Sequence, residues 1–462
     1  LSSDIAPPLP SSARRRHPPG SAEWQLMTAG SGAGAAAVLE EALLPNGKAQ
    51  APVVGLWRWI WTVVLWWAIF AIGVALAMLG PTLQEVGEQL RVSVTVAGSL
   101  FTWRASGYLV GAVWCGDVLH RMTNAAAVFL APLLVASLGV YSLPWCSEYP
   151  VACLIFFFQG LPMGMLDTGG NVLMLALWRG SPYQNGFEHA FHFFFGLGAA
   201  LAPEIVRALL LRGIGALDAW LYVGSALLLT CVGLLLLAVS GPVLRVPDAP
   251  EEDADKDTAA SKSRFVFMTG AFLFVYVGIE VSFGGYIDVF SVRWLDESKV
   301  QGATLTSIYW GALCVGRAVA ALVTPFVHHA RYLAWQLLLA IASAAALWVA
   351  AEAPAEDVEP GSSGWWLGVV APTACFGFAI APLFPGALLV VEELLGHALP
   401  ARDAGRVVGA AAAGEMILPL LVGALFSVSP VSFCWSQLVL CAGAALIFFT
   451  NSGSLLISKA KQ

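Results

Sequence analysis

The sequence predicts an all-α membrane protein whose twelve transmembrane helices form two six-helix repeats. Of the 462 residues, 58% are hydrophobic and 11% are charged, and the mean hydropathy is +0.76. Soluble domains carry roughly 25% charged residues. A membrane-crossing helix needs about 20 consecutive apolar residues, because its backbone must satisfy its own hydrogen bonds in lipid. Apolar stretches of that length recur along the whole chain.

Twelve stretches meet this requirement and are numbered as spans 1 to 12. They cover residues 57–80, 93–116, 125–144, 151–178, 187–211, 219–240, 265–290, 303–324, 332–351, 365–391, 406–427 and 430–450. A charged linker after the sixth span divides them six plus six. The predicted domains are a disordered tail, an N-terminal bundle, a linker, a C-terminal bundle and a short tail, at 1–56, 57–240, 241–264, 265–450 and 451–462.

Glycine and proline positions repeat between the two halves. In span 5 Gly198 precedes Pro203 by five residues, as Gly414 precedes Pro419 in span 11. The pairs Gly73 and Gly80 in span 1 and Gly278 and Gly285 in span 7 match similarly, as do small residues in spans 4 and 10. These matches indicate a duplicated bundle, in which a binding site lies near the midplane between the repeats.

Basic residues predict the orientation. Fifteen lysines and arginines fall in the tails and loops on the side of the termini, whereas the opposite loops hold Arg91, Arg207, Arg212, Arg293 and Lys299. Cytoplasmic segments carry the excess of basic residues, so both termini are expected in the cytoplasm. The chain is therefore expected to be a multi-pass protein of the plasma membrane or an endomembrane.

The eight cysteines show no metal-ligand spacing, so neither a resident metal nor a cofactor is expected. Cys146 and Cys153 flank a candidate outer loop closely enough to suggest a disulfide.

Span 4 carries the most informative polar face. Gly160, Gly164, Asp167 and Asn171 fall at i, i+4, i+7 and i+11 on one side of a helix. The two glycines favour close approach of a neighbouring helix. A central carboxylate costs about 2.5–3.5 kcal/mol on insertion scales, so Asp167 needs a partner, a proton or a cation. Asp167 is predicted to couple a cation, and a structural ion pair is the alternative.

Further polar candidates lie in spans 2, 4 and 5. Arg104 in span 2 either pairs with Asp167 or binds an anionic group of a substrate. Gln159 is a further candidate for substrate binding. His192 in span 5 falls at the depth of Asn171, where it either contacts substrate or is a hydrogen-bonded packing residue.

The C-terminal half repeats this pattern. In span 7, Glu280 is the second candidate for cation coupling, while Asp288 falls near the outer edge and is expected to be interfacial. Arg317 in span 8 and Glu415 in span 11 are expected to form a closing pair on the cytoplasmic side. The rings of Tyr276 and Trp310 are candidate substrate contacts, and Trp103 and Tyr286 also flank the polar faces; packing is the alternative for each ring.

Asp117 and Arg121 follow span 2 as an acidic-basic loop pair. Asp117 either braces an inner gate or is a solvated turn residue.

The segments LDTGGNVLMLALW, HAFHFFFGLGAALAP, YVGIEVSFGGYI, YWGALCVGR and VVGAAAAGEMILPLLVG together resemble the sodium-dependent glucose transporter-like branch of the major facilitator superfamily, also called the major facilitator superfamily domain-containing protein 4 group. The resemblance implies the major facilitator fold, a hexose or related monosaccharide as substrate and sodium as the driving ion. It also implies that Asp167, Asn171, His192 and Glu280 lie at or near the central cavity, and that Arg317 and Glu415 belong to family motifs.

The predicted function is secondary active transport of a monosaccharide by alternating access, with Na⁺ or H⁺ as the co-transported ion. Facilitative uniport of a small polar or amphiphilic solute is one alternative, and a non-transporting membrane sensor or scaffold is another. An enzyme is disfavoured, since no nucleophile, base and oxyanion-binding group gather at one depth. The expected partners are a small-molecule solute and the lipid bilayer, with no nucleic acid, and the protein is expected to work as a monomer.

Overall fold

The computed structural model describes residues 55–119, 124–178, 181, 184–241, 259–353, 361–395 and 401–458. The predicted N-terminal tail and most of the predicted linker lie outside these residues, as do Arg121 and the side chain of Asp117. The described residues form helices and contain no strand.

The helices follow the predicted spans closely and take the span numbers. They are α1a Leu56–Ala77, α1b Leu79–Leu90, α2 Val94–Leu119, α3 Ala125–Ser142, α4 Tyr149–Leu177, α5 Gln184–Leu210, α6 Ala219–Ser240, α7 Ala259–Trp294, α8 Lys299–Val323, α9 His329–Ala351, α10a Ala371–Ile380, α10b Leu383–Leu395, α11 Ala401–Val428 and α12 Ser432–Ser458. A π-helical turn, Trp366–Val370, leads into α10a.

Span 1 is longer than predicted and is broken in the middle. Helix α1a ends at Ala77 and α1b continues to Leu90, where Arg91 ends it in the left-handed conformation, with φ 57°. Pro81 explains the break, because a proline has no N–H to donate to the carbonyl of Ala77 four residues earlier. The polar sequence QEVGEQL thus extends the helix beyond the apolar stretch.

Ten helices of the described residues are long and apolar enough to cross a membrane. Helices α2 and α8 are long enough but fall outside this set, since their polar side chains lower the mean hydropathy. They carry Arg104 and Arg317, both of which point into the protein. Ten helices rather than twelve meet the criterion because these two helices carry polar and charged side chains.

The halves repeat one packing arrangement. Helices α1 and α5 pack together, and so do α7 and α11. Gly198 of α5 lies against the carbonyl of Phe70, and Gly414 of α11 lies against that of Phe274, so closely that a Cβ would overlap either oxygen. Gly198 and Gly414, which match in the sequence, therefore make corresponding contacts, while the exact limits of the two bundles stay a prediction.

Helices of the two halves also meet. Helix α2 packs on α11, and α5 packs on α8. Residues 91–93, 143–148, 211–218 and 295–298 connect helices at the end opposite the termini, which we name the outer end in keeping with the predicted orientation.

Candidate functional site

Backbone contact between α2 and α4 positions the candidate site. A Cβ at Gly160 would overlap the carbonyl oxygen of Arg104, and one at Gly164 would overlap that of Tyr108. Gly107 and Gly111 of α2 make the reciprocal contacts with α4. The close packing expected of the span 4 glycines is confirmed, and the neighbouring helix is α2.

This packing brings Tyr108 to Asp167. The Tyr108 hydroxyl donates a hydrogen bond of 2.5 Å to Asp167 Oδ2. One turn further along, Asn171 Nδ2 donates to the backbone oxygen of Asp167 at 2.7 Å. The Oδ1 atom of Asn171 is buried and has no hydrogen-bond partner among the described residues. Asp167 and Asn171 thus present oxygen atoms on the same face of α4.

Arg104 pairs with Glu415 rather than with Asp167. Its Nη2 atom lies 3.1 Å from Glu415 Oε1, and the two side chains are 1% and 8% exposed. Its Nη1 atom donates to the backbone oxygen of Leu76 at 2.7 Å. The alternative in which Arg104 pairs with Asp167 is therefore wrong, because α11 packs against α2, with Thr102 donating to the backbone oxygen of Met416 at 2.7 Å.

Arg317 correspondingly pairs with Glu280, so the predicted closing pair of Arg317 with Glu415 is also wrong. Arg317 Nη2 lies 3.0 Å from Glu280 Oε1. The Tyr309 hydroxyl donates to the backbone oxygen of Glu280 at 2.8 Å. Since α7 and α8 are adjacent helices of one half, this pair lies within that half, whereas the Arg104–Glu415 pair joins the halves.

The two ion pairs and Asp167 form one electrostatic cluster. Glu415 interacts electrostatically with Glu280 and with Asp167 as well as with Arg104. Within the described residues the cluster, with every group ionised, holds three carboxylates and two guanidinium groups. Asp167 is the carboxylate without an arginine partner, and the cluster therefore has a deficit of one positive charge.

Several buried polar atoms around this cluster lack partners within the described part of the chain. Gln159 Nε2 donates to the backbone oxygen of Ala75 at 3.2 Å, but its Oε1 atom has none. The same holds for Trp310 Nε1 and for Arg104 Nε. Buried polar groups are nearly always hydrogen-bonded, so these atoms point to an occupant that can both donate and accept.

The other sequence candidates are distributed differently. The His192 side chain is exposed and lies edge-on to the Phe191 ring, with 5.6 Å between ring centroids. Trp103 is 43% exposed. The Tyr286 hydroxyl lies between Gly98 of α2 and Gly423 of α11, towards the outer end. Asp288 lies near the outer end, beside Glu297 and Lys299, but is 4% exposed, so the exposure expected of an interfacial residue is wrong, because α8 covers it at Gly302.

Sequence reasoning gave no role to Tyr108, which donates to the Asp167 carboxylate, or to Tyr309, which donates to the backbone of Glu280. Tyr108 lies four residues after Arg104 on the same helical face, and this spacing is the signal that could have identified it.

Cys146 and Cys153 are free thiols, as are the other cysteines, all of which are described. The suggested disulfide is therefore wrong. Cys153 is buried within α4, whereas Cys146 lies in the preceding loop.

Comparison with known proteins gives a family match and several relatives. The sequence profile described as Major Facilitator Superfamily matches residues 65–424. "Sodium-dependent glucose transporter 1" of Danio rerio is 26% identical over 431 residues, covering 83% of this chain and 68% of that protein. The protein of the same name from Rattus norvegicus is 28% identical over 409 residues, with 80% and 79% coverage. "Major facilitator superfamily domain-containing protein 4A" of Mus musculus is 29% identical over 145 residues, or 31% and 28% of the two chains.

Proposed function

The chain belongs to the Major Facilitator Superfamily and is an integral multi-pass transporter rather than an enzyme, and we propose that it moves a monosaccharide by alternating access, coupled to Na⁺ or H⁺ bound at Asp167. This proposal rests on Asp167, the one carboxylate of the central cluster that has no arginine partner within the described residues. The names of the relatives, sodium-dependent glucose transporters, support the solute and the ion.

Asp167 suits a cation because its carboxylate is held by a neutral donor rather than by an arginine. Tyr108 orients one carboxylate oxygen through its hydroxyl. Oδ1 of Asn171, four residues later, supplies a second buried oxygen on the same helical face. Hard cations take oxygen ligands, and a carboxylate can equally take a proton.

Neutralisation of Asp167 would couple the ion to the solute. An ionised acid in a closed, water-excluded centre is unfavourable by about 2.5–3.5 kcal/mol on insertion scales. A bound cation or proton removes this penalty, so the protein closes around the site more readily when the ion is present. A ligand shifts the equilibrium between the open and closed states only if it binds one of them more tightly. An ion that neutralises Asp167 would bind the closed state more tightly, and this difference would couple the ion to the solute.

The unpartnered polar atoms suit a polyhydroxylated solute. Gln159 Oε1 accepts a hydrogen bond and Trp310 Nε1 donates one. The Tyr276 hydroxyl of α7, beside Glu280 and Arg317, can do both. A sugar ring carries several hydroxyl groups that each donate and accept, together with an apolar face that packs on aromatic rings. The proposed sugar site therefore lies between α4, α7 and α8.

The test is uptake of radiolabelled hexoses by purified protein in liposomes, with imposed sodium and pH gradients in separate arms. The proposal predicts saturable uptake of at least one hexose that either a sodium or a proton gradient increases. Uptake that neither gradient changes would identify a uniporter, with Asp167 held structurally by Tyr108. Liposomes that move no hexose under any gradient would overturn the proposed solute.

We further propose that both termini face the cytoplasm, as the distribution of basic residues predicts. Protease protection of a C-terminal tag in sealed membrane vesicles of known orientation tests this.

A further inference from the structure

An ion pair joins the two halves at the outer end. Lys299 Nζ of α8 lies 2.5 Å from Glu85 Oε1 of α1b, and the two side chains are 41% and 14% exposed. Nearby, Thr95 Oγ1 of α2 donates to the backbone oxygen of Gly423 of α11 at 3.1 Å. The structure therefore has the outer end closed, with Lys299 bound to the opposite half.

Asp288 lies behind this ion pair without a partner of its own. It is 4% exposed, and α8 approaches it so closely that a Cβ at Gly302 would overlap Asp288 Oδ1. The Ser291 hydroxyl donates to the backbone oxygen of Asp288 rather than to its carboxylate. No hydrogen bond or ion pair to this carboxylate is present within the described residues.

The charges around Asp288 are predominantly negative. Glu85 from α1b, Glu297 from the 295–298 loop and Lys299 from α8 all interact with it. Lys299 in turn interacts with Glu85, Glu88 and Asp288. Lys299 is thus attracted to several acids, and in this conformation it forms its ion pair with Glu85 of the opposite half.

Glu297 is the second buried acid of this group and is anchored within its own half. It accepts a hydrogen bond from Trp365 Nε1, and its carboxylate also interacts with Ser291. Burial raises the pKa of Glu297 to about 7. Because Trp365 and Ser291 belong to the same half as Glu297, we expect its surroundings to stay similar when the halves separate.

We propose that Asp288 is a proton-binding site that fills when the outer end closes and empties when it opens. In the closed state Lys299 neutralises Glu85, and the isolated Asp288 carboxylate takes a proton from the outer solution to become a neutral acid. When the halves separate, Lys299 leaves Glu85 and pairs with Asp288 in its own half, and the proton returns to solution. The proposal rests on alternating access alone, and neither a sugar nor an ion at Asp167 enters it.

Linkage fixes the sign and the maximum size of the effect. The closed state binds one more proton than the open state, so a lower pH favours closure. For one proton the ratio of closed to open protein changes by at most about tenfold for each pH unit. Burial of an uncompensated charge is the physical cause, since a charge without a partner in a low dielectric medium is strongly unfavourable.

The test is a spin-label distance measurement across the outer end, without sugar or sodium. The spin labels are attached to cysteines that replace the exposed Arg212 and Arg293. The two native cysteines that are not buried, Cys146 and Cys375, are first replaced by serine so that they are not labelled. The ratio of closed to open protein is expected to fall by up to about tenfold per pH unit as the pH rises from 6 to 8. Asp288→Asn should abolish this dependence and stay closed. Asp296→Asn, at an exposed acid, is the matched control and should behave as the parent protein does.

A second variant tests the exchange of Lys299 while Asp288 is retained. Glu85→Gln leaves Lys299 free for Asp288 in both states, so the pH dependence should disappear, whereas Glu88→Gln should keep it. If size-exclusion chromatography shows that Asp288→Asn does not fold, Glu85→Gln alone tests the proposal. Wild-type pH dependence in either Asp288→Asn or Glu85→Gln would overturn the proposal. Closure at pH 8 by sodium chloride but not by choline chloride would instead assign a sodium site.

Discussion

Replacing Glu415 with glutamine should destabilise the protein strongly, because it leaves Arg104 buried without a counter-charge. Two unit charges 3.1 Å apart attract by about 5 kcal/mol at an effective dielectric constant of about 20. Breaking buried ion pairs from one side typically costs about 3–5 kcal/mol. Arg104 is 1% exposed, so water cannot replace the lost partner. We therefore expect Glu415→Gln to lower the free energy of unfolding by about 3–5 kcal/mol.

An exposed ion pair supplies the matched control. Arg207 and Glu204 are three residues apart on α5, and their side chains are 35% and 38% exposed. Pairs of this kind contribute about 0.3–0.5 kcal/mol. Glu204→Gln should therefore lower the free energy of unfolding by less than about 1 kcal/mol.

The assay is equilibrium unfolding by sodium dodecyl sulfate in mixed micelles, followed by tryptophan fluorescence. The parent protein, the single variants Arg104→Gln and Glu415→Gln, and the double variant with both substitutions form a double-mutant cycle. Removing both charges should restore part of the stability, because no unpaired ion remains. The reasoning is refuted if Glu415→Gln costs no more than Glu204→Gln, or if the double variant is at least as destabilised as the single variant.

Two further predictions concern packing and pH. Gly160→Ala should destabilise the protein by about 1–3 kcal/mol, because the new Cβ overlaps the Arg104 backbone. Gly311→Ala, which has open space, should be neutral or slightly stabilising in the same unfolding assay. Because burial raises the pKa of Glu297 to about 7, the folded protein retains a proton that the unfolded chain releases above about 4.5. Thermal stability should therefore fall as the pH rises from about 5 to 7, and Glu297→Gln should lessen this fall, whereas Asp296→Asn should not.

The sequence predicted which residues face the interior but not which of them meet. Helical spacing predicts a buried face for Gly160, Gly164 and Asp167 because one turn repeats every 3.6 residues. It gives no information on the register between helices, and Arg104 and Glu415 are 311 residues apart in sequence. Of the two alternatives for Arg104, the pairing with Asp167 was consequently wrong.

Helix ends that depend on local sequence were predicted, whereas those that depend on tertiary contacts were not. Apolar length located the spans, including span 6, to within a few residues. Hydropathy could not predict that α1b continues to Leu90, because that segment is polar and is stabilised by tertiary contacts. The burial of Asp288 was missed for a related reason, since Gly302 on the following helix covers it.

The central claim, that Asp167 is the coupling site, is tested most directly by sodium- and proton-driven hexose uptake in liposomes that contain Asp167→Asn. The account predicts that the variant loses the increase caused by the ion gradient, while Glu204→Gln keeps it. Gradient-driven uptake by Asp167→Asn at the wild-type level would contradict the account.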